Sequence, residues 1–535
     1  MQTLYSADSQ AEQFRQLQTQ LGDRWRPIDQ FDASDRDILV IPSLSLDQKE
    51  LQKIEGVHHY EERLLFALIR LRNPRTRVVY ITSRPLHPSI IDYYLELLPG
   101  IPGSHARDRL LVLATYDSSL KSLTQKILER PRLVERIRQV LRLDRAYMVC
   151  FNSTHLERDL SIQLGVPLLA VDPDLLYWGT KSGSRQIFTE CDIPHPDGSP
   201  LVWDVKDLAV AAAQLWERQP HLRRIVVKLN EGFSGEGNAL LDLTRLQAFA
   251  PGAATHTERV NQIRDHFPKL RFQSATEIWP HFQTQIAELG AIVEAFVEGD
   301  EKRSPSVQGR ITPMGDVEIL STHDQILGGP DQQVFLGCSF PADVAYRLQL
   351  QEMGQRVGKC LASKGALERF SLDFIAVRQP VAAGTPEWDL QAIEINLRKG
   401  GTTHPFMTLK LLTSGCYEKN TGLFYSQQHQ SKCYVASDNL QKDVYRGLLP
   451  SDLMDIIAAH QLHFNTVTET GTVFHLMGCL SEFGKLGLTS IGNSPHHAEE
   501  IYNRVIQVLD QEAQLTSYPT WHAFPRLPVS WGEKG

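Results

Sequence analysis

Short apolar runs alternate with longer amphipathic stretches over the first third of the chain. Stretches with helical spacing of apolar positions, such as HYEERLLFALIRLRN, separate several of the apolar runs. The runs are rich in Val, Ile and Leu, as buried strands are, and lie at 37–44, 77–83, 109–116, 147–152 and 166–172. This alternation predicts a doubly wound, parallel α/β sheet. No GxGxxG follows the first predicted strand, so the dinucleotide fingerprint is lacking.

A second α/β region is predicted after residue 200, with a helix followed by the strand RRIVVKLN. Lys228 lies near the end of that strand, and the turn after it contains Gly232, Ser234, Gly235 and Gly237. Glycines let backbone N–H groups approach phosphate oxygens, and a lysine at a strand end adds a positive charge. A hairpin turn with a solvated lysine explains the same residues, because glycine-rich loops are common.

An apolar strand is predicted at 291–297, and the acidic sequence EGDE follows it. A chain that leaves such a strand can offer backbone groups to a purine edge, and a nearby carboxylate can accept both ribose hydroxyls. An acidic loop between two strands is the competing interpretation.

The strongest chemical signal lies in two later predicted strands. FSLDFIAVRQ carries Asp373, and WDLQAIEINLRKGGTTHP carries Glu394, Asn396 and Arg398. Because side chains alternate along a strand, the last three share one face, with Ile393 and Ile395 on the other. Two carboxylates and an amide oxygen suit Mg²⁺, and an adjacent arginine can hold an anionic oxygen through two hydrogen bonds. A solvated edge strand would not predict the apolar opposite face.

Composition indicates an ordinary globular protein with about three domains or lobes, since the chain has 535 residues, 42% of them hydrophobic. The formal charge of −8 argues against a nucleic-acid surface, although a pocket can still bind small anions. Seven scattered cysteines without a CxxC pair predict reduced thiols. With no apolar stretch of about 18 residues and no basic leader, we expect a cytoplasmic protein without membrane contact.

The C-terminal region is predicted to contain helices at 449–465 and 496–513 with strands and turns between them. His475 and the pair His496-His497 suggest metal ligands. No carboxylate or thiol stands at ligand spacing in the sequence, so we interpret them as ordinary core or surface histidines. The Pro- and Trp-rich tail is predicted to be an extended strap or a contact with a second subunit.

The order of these motifs resembles the ATP-grasp superfamily. KLNEGFSGEGNA, LSTHDQILGGP, EINLRKGGTTHP and VFHLMGCLSEFGKLGLTSIGNSP are similar to the branch with the pheganomycin-type peptide ligase and the ATP-grasp region of IQ-motif-containing protein H. The resemblance implies an α/β fold with an α+β core and a two-lobed ATP-grasp domain. Its predicted parts are a pre-ATP-grasp domain at 1–172, lobe A at 173–298, lobe B at 299–416, and a C-terminal segment and tail at 417–535.

The resemblance also implies which residues bind ATP. Lys181 and Lys228 resemble the pair that contacts the phosphates, and residues 232–237 resemble the lid over them. The backbone of Ala295 and Val297 corresponds to the adenine contact. Glu294 is expected beside the base, and Glu301 is expected on the ribose.

The metal-binding and catalytic residues follow from the same resemblance. Asp373, Glu394 and Asn396 resemble the ligands of two Mg²⁺ ions, with Mn²⁺ as an alternative. Arg398 resembles the residue that stabilises the acyl-phosphate and the tetrahedral intermediate, with Lys228 also expected in catalysis. Two further residues occupy a stretch that lies near the acceptor in relatives: His323 and Asp324.

The implied activity is an ADP-forming carboxylate–amine ligase that makes an amide or peptide bond through an acyl-phosphate. Its partners would be a small carboxylate and an amino acid or peptide amine, and a homodimer is compatible with the family. The spacing from Arg398 to Gly400-Gly401 differs from the biotin carboxylase pattern Arg-x-Gln-x-Glu and argues against bicarbonate activation. A nucleotide-binding regulatory protein without turnover is the alternative, and a kinase or thiol ligase of the same fold is a third.

Overall fold

The computed structural model describes residues 7–25, 35–98, 100–232, 237–274, 277–328, 334–379 and 387–514. Within these ranges the strands form three sheets, one parallel and two containing antiparallel pairs. The seven cysteines are free thiols. No helix in the described part of the chain has the length and apolar character needed to cross a bilayer.

The N-terminal sheet is parallel and has four strands. In spatial order they are Leu110–Ala114, Thr76–Thr82, Arg36–Ile41 and Ala146–Cys150. Successive residues of the strand Arg36–Ile41, such as Ile38 and Leu39, enter two different cores, so both faces of the sheet are covered. The helices are Ala7–Gln18, Leu21–Arg24, Gln48–Lys53, the 3₁₀ segment Val57–Arg72, Pro88–Glu96, Gly103–Arg107, Leu123–Leu128, Pro131–Val140 and His155–Leu164.

The predicted parallel α/β sheet is therefore confirmed, with one difference. The run at 166–172 is not a strand, since Leu168 makes only a single bridge to Met148. The preceding helix His155–Leu164 ends at Gly165, whose φ of 67° is left-handed. The chain after it adds no full strand to the sheet edge.

The second sheet is antiparallel. Its strands are Arg271–Phe272, Asn238–Asp242, Arg224–Leu229 and Ala291–Ala295, in that spatial order. Ile225, Val227 and Leu229 pack into a core with Trp216 of the flanking helix, which leaves Val226 and Lys228 on the opposite face. The helices of this region are Pro173–Gly179, Lys181–Glu190, Val205–Arg218, Leu243–Phe249, His256–His266, Phe267–Lys269 and Trp279–Leu289.

The third sheet has eleven strands. Its main path is Glu387–Asn396, Glu368–Gln379, Pro305–Ile311, Val317–Gly328, Val334–Phe340, Ser431–Gln441, Leu423–Tyr425 and Cys416–Glu418, and Lys302–Arg303, Gly471–His475 and Lys485–Gly492 join it at the sides. Its helices are Arg347–Ser363, Thr403–Thr413, Asp443–Tyr445, Pro450–His460, Met477–Cys479, Leu480–Phe483 and Pro495–Gln514. The pairing of Val334–Phe340 with Ser431–Gln441 continues this sheet across the position of the predicted boundary at 416/417.

Candidate active site

Residues from all three sheet regions line one cavity of about 600 Å³. The residues predicted to bind phosphate, adenine and metal come together there. The antiparallel sheet and the large sheet both contribute strand faces that point away from their own cores. The predicted site residues in its lining are Lys228, Glu294, Ala295, Val297, Asp373, Glu394, Asn396 and Arg398. Val226, Phe296 and Leu327 add apolar surface that suits a nucleotide base.

The acidic and amide side chains form a connected hydrogen-bonded group. Asp373 and Glu394 stand opposite each other on paired strands. Asn396 Nδ2 donates to Asp373 Oδ2 at 2.9 Å, and Arg398 donates to Asn396 Oδ1 at 2.9 Å. The shared face of Glu394, Asn396 and Arg398 follows the predicted alternation. One position departs from it: Ile393 also lines the cavity, because the register shifts beside Asp373 and a bulge re-aims the side chain.

The charges of this group fit a divalent cation. Burial, and then the neighbouring carboxylate of Glu394, raise the pKa of Asp373 to about 6. Gln325 donates to Asp373 Oδ1 at 2.7 Å, and Lys181 Nζ donates to Glu394 Oε1 at 2.6 Å. Burial lowers the pKa of Arg398, although both carboxylates oppose that shift. Two convergent carboxylates and an amide oxygen are the hard donors that Mg²⁺ prefers, and a cation there would offset their repulsion.

A second ion-paired group lies on the lobe A side of the cavity. Lys228 and Arg185 both donate to the carboxylate of Glu294, which is buried. Burial alone would raise the pKa of Glu294, but the two cations outweigh it and hold that pKa below its usual value. Glu294 therefore fixes the position of Lys228 in addition to facing the cavity, a function that the sequence interpretation did not assign to it.

Other predicted ATP-binding residues lie outside the cavity lining. Lys181 reaches the site through its bond to Glu394, and Glu301 is ion-paired with Arg378 at 2.7 Å. Gly232 and Gly237 are the described residues nearest to the predicted lid, and a Cβ at Gly237 would lie 3.1 Å from the Leu229 side chain. Ser234 and Gly235 lie outside the described residues.

The predicted catalytic role of His323 and Asp324 does not fit their positions. His323 is completely buried, and its Nε2 lies 2.6 Å from the Tyr434 hydroxyl. Asp324 accepts hydrogen bonds from the Tyr346 hydroxyl and from the backbone N–H of Asp343. Neither residue lines the cavity. In their strand it is the next residue, Gln325, that faces the metal-binding group.

The burial of His323 predicts acid sensitivity. Burial lowers its pKa from the ordinary 6.5 to about 3, so the unfolded chain takes up a proton first as the pH falls. Neutral His323 therefore contributes its full stabilisation above the unfolded pKa of 6.5. Below that value the free energy of unfolding falls by about 1.4 kcal/mol per pH unit. We expect the free energy of unfolding, measured in urea, to fall between pH ~7 and ~5 in both proteins. The fall should be about 2 kcal/mol smaller in His323→Phe than in the wild type.

Exposed His496 offers the control for this measurement. His496→Ala should keep the pH dependence of the wild-type protein, because its side chain is 81% exposed. Equal losses of stability in the wild type and His323→Phe would contradict the prediction.

The opposite end of the cavity contains charged residues that no motif indicated. Arg63 and Lys485 line it, together with Asp438. The Asp438 carboxylate accepts from His475 at 2.7 Å and lies 2.8 Å from His404 Nε2. Although burial opposes ionisation, these histidines hold the pKa of Asp438 well below its usual value.

His475 therefore has the carboxylate neighbour that was not evident from sequence spacing. His404, Asp438 and His475 could together present three ligand atoms to a metal ion. Burial lowers the pKa of His404 to about 4, which keeps its imidazole neutral, but the Arg63 guanidinium lies 3.4 Å from Asp438. A resident cation beside Asp438 would be repelled by that arginine, so a structural hydrogen-bonded group fits better.

Comparison with protein families agrees with this arrangement. Residues 175–418 match the family model described as IQCH-like, ATP-grasp. The match confirms the resemblance inferred from the sequence motifs. Its range includes the predicted metal ligands Asp373, Glu394 and Asn396. Residues 452–505 match the PGM1 C-terminal domain model.

Two curated relatives are similar to the chain beyond the ATP-grasp domain. The L-propargylglycine–L-glutamate ligase of Streptantibioticus cattleyicolor is 28% identical over 481 residues, which cover 88% of this chain and 93% of that protein. IQ motif-containing protein H of Danio rerio is 24% identical over 94% of this chain, and the chain spans 51% of its length.

Solved structures support the fold. A Campylobacter jejuni biotin carboxylase in complex with βγ-ATP has a TM-score of 0.53 at 10% identity, covering 91% of this chain and 96% of that chain. The biotin carboxylase domain of Hydrogenobacter thermophilus 2-oxoglutarate carboxylase, with MgADP, ADP and bicarbonate, has a TM-score of 0.50 at 12% identity and covers 89% of each chain. The predicted mixed α/β fold with a parallel N-terminal sheet is therefore confirmed.

Proposed function

We propose that this protein is an ADP-forming ligase that joins a carboxylate to an amine through an acyl-phosphate. One observation carries the proposal: Lys228, from the antiparallel sheet, and Asp373, Glu394, Asn396 and Arg398, from the large sheet, line one cavity. The curated ligase relative supports amino acids as the substrate class.

The charges of the site explain how the first step could proceed. A substrate carboxylate attacks the γ-phosphorus of ATP, the bond to the β-phosphate oxygen breaks, and ADP leaves. Lys228 neutralises phosphate charge. Lys181, which donates a hydrogen bond to Glu394, donates it to a phosphate oxygen instead when ATP is bound. Asp373, Glu394 and Asn396 would hold Mg²⁺, which screens phosphate charge when bound. We propose that these residues would hold two ions, and Mn²⁺ fits the same oxygen donors.

The second step requires stabilisation of an oxyanion. The amine nitrogen attacks the acyl carbonyl carbon, phosphate leaves, and the amine proton is released to solvent or phosphate. Arg398 is held by Asn396 and by the carbonyl of Lys399, so its guanidinium is fixed before negative charge develops. The segment 232–237 is proposed as the lid that excludes water from the acyl-phosphate.

A regulatory protein that binds nucleotide without turnover is less well supported. Such a protein needs contacts to the base and phosphates but has no use for a desolvated arginine beside the metal-binding group. Arg398 is half-buried there, and its partial desolvation disfavours the charged form. Retaining such a costly group favours chemistry at this position.

Measurement of ADP and phosphate release tests the proposal. We expect turnover only when the protein receives ATP, Mg²⁺, a carboxylate and an amine, and mixtures of amino acids and small carboxylates serve as the screen. Chelation by EDTA should stop turnover, and added Mg²⁺ should restore it. Nucleotide binding without hydrolysis in every mixture would contradict the ligase and support the regulatory alternative.

A further inference from the structure

Two buried cations line the cavity without belonging to any ATP-grasp motif. Arg63 lies in the 3₁₀ segment Val57–Arg72, and Lys485 begins the strand Lys485–Gly492. Their exposed fractions are only 7% and 5%. Charged side chains are rarely buried to this extent unless they are paired, so their partners indicate their function.

The partners of Arg63 leave hydrogen-bonding capacity unused. Its guanidinium carbon lies 4.5 Å from the centre of the Tyr60 ring and 4.4 Å from the centre of the Phe151 ring. Within the described part of the chain, its Nε has no hydrogen-bond acceptor. Its NH1 is 3.4 Å from Asp438, a carboxylate that His404 and His475 already contact. A buried guanidinium with an unsatisfied donor is suited to receive an anion.

Lys485 adds a second positive charge to this end of the cavity. Its Nζ donates to the Tyr60 hydroxyl at 2.8 Å and lies 5.1 Å from the centre of the same ring. The described residues place no carboxylate in contact with this ammonium group. Tyr60 therefore contacts both cations and holds them near each other.

The N-terminal sheet fixes the segment that carries Arg63. Glu61 accepts from the Ser83 hydroxyl at 2.6 Å, and the Tyr80 hydroxyl donates to the Glu61 carbonyl at 2.5 Å. Ser83 follows directly on the second strand of that sheet, so the strand end positions the helical segment. A preorganised arginine loses little conformational entropy on binding an anion.

We propose that Arg63 and Lys485 bind the free α-carboxylate of the amine substrate, which is therefore an amino acid. The inference rests on the proposed ligase function. The carboxylate that reacts with ATP must lie beside Arg398 and the metal-binding group, so an anion at Arg63 is one that does not react. In an α-amino acid the amine is one carbon away from the carboxylate.

Arg63 and Arg398 line the same cavity, so their like charges repel each other there. An anion bound at Arg63 would reduce that repulsion. A carboxylate held at Arg63 would thus direct the neighbouring amine towards the carbonyl that Arg398 stabilises.

Kinetics with free amino acids and their α-carboxamides test this proposal. The most active amine found by ADP release is compared with its carboxamide, which keeps the amine and lacks the charge. The wild type should prefer the free acid. Arg63→Gln and Lys485→Met should each raise KM for the free acid by about 10- to 100-fold and remove the preference, while KM for ATP changes by less than about threefold.

Exposed Arg84 provides the matched control, since it is 46% exposed and lies outside the cavity lining. Arg84→Gln should retain the wild-type preference. If Arg63→Gln does not fold, Arg63→Lys and Lys485→Met supply the test. The assignment would be overturned if folded variants kept the wild-type preference for the free acid over its carboxamide. It would also be overturned if they lost selectivity only among carboxylate donors.

Binding measurements separate this inference from the ligase proposal. With ADP and Mg²⁺ present, calorimetric titration of the common L-amino acids and their carboxamides requires no turnover. Binding of a free acid that both variants abolish would support the anion site even if ligase activity were absent. Binding that Arg63→Gln and Lys485→Met leave unchanged would overturn it.

Discussion

Glu394→Ala is expected to reduce ADP release by at least about 10³-fold, because a metal ligand contributes several kcal/mol to stabilising the transferring phosphoryl group. Glu394 faces Asp373 across paired strands and accepts from Lys181 at 2.6 Å. The alanine variant therefore removes one oxygen donor and leaves the lysine without this partner. Turnover is measured at saturating ATP and Mg²⁺, with circular dichroism to verify folding.

Two variants distinguish metal binding from packing. Glu394→Gln keeps an acceptor for Lys181 but loses the charge, so it should remain folded and nearly inactive. Glu387→Ala, at the exposed start of the same strand, should have wild-type activity. If Glu394→Ala retained turnover within about threefold of the wild type, the metal assignment would be wrong.

Arg398→Lys is expected to slow amide formation by about 10²- to 10³-fold while ATP binding stays nearly intact. Lysine keeps the positive charge but cannot reproduce the planar fork. In the wild type that fork donates to Asn396 Oδ1 at 2.9 Å and to the Lys399 carbonyl at 3.2 Å. Product formation and nucleotide affinity are measured separately, so a loss of catalysis is not confused with a loss of binding.

Isotope exchange locates the affected step. Positional isotope exchange in heavy-oxygen-labelled ATP reports reversible acyl-phosphate formation without amine. It should continue in Arg398→Lys if the arginine acts mainly on the second step. Arg245→Lys, on the exposed surface of lobe A, is the control and should behave as the wild type. Wild-type amide formation in Arg398→Lys would remove Arg398 from the mechanism.

Local sequence predicted the elements that place the two halves of the site. Strand periodicity put Glu394, Asn396 and Arg398 on one face, and the β-branched run before Lys228 predicted its strand. These inferences succeed because side-chain alternation is a property of the backbone and needs no knowledge of distant residues. The family motifs added the prediction that Lys181 and Lys228 act at the same site as Asp373, Glu394 and Asn396.

Local deviations limited the same inferences. A register shift beside Asp373 turns Ile393 towards the cavity, and His323 is buried whereas Gln325, two residues later, lines the cavity. A one-residue difference in register reverses which side of a strand a residue occupies. Sequence patterns contain little information about bulges, because the bulge depends on the partner strand.

The sequence by itself determined the α/β class, the ATP-grasp motifs and the face that carries Glu394, Asn396 and Arg398. Only the tertiary structure decided that Arg63, Asp438 and Lys485 line the same cavity, since Arg63 and Asp438 are 375 positions apart. The physical reason is that periodicity is set by neighbouring residues, whereas convergence of distant charges is set by how the three sheets pack together.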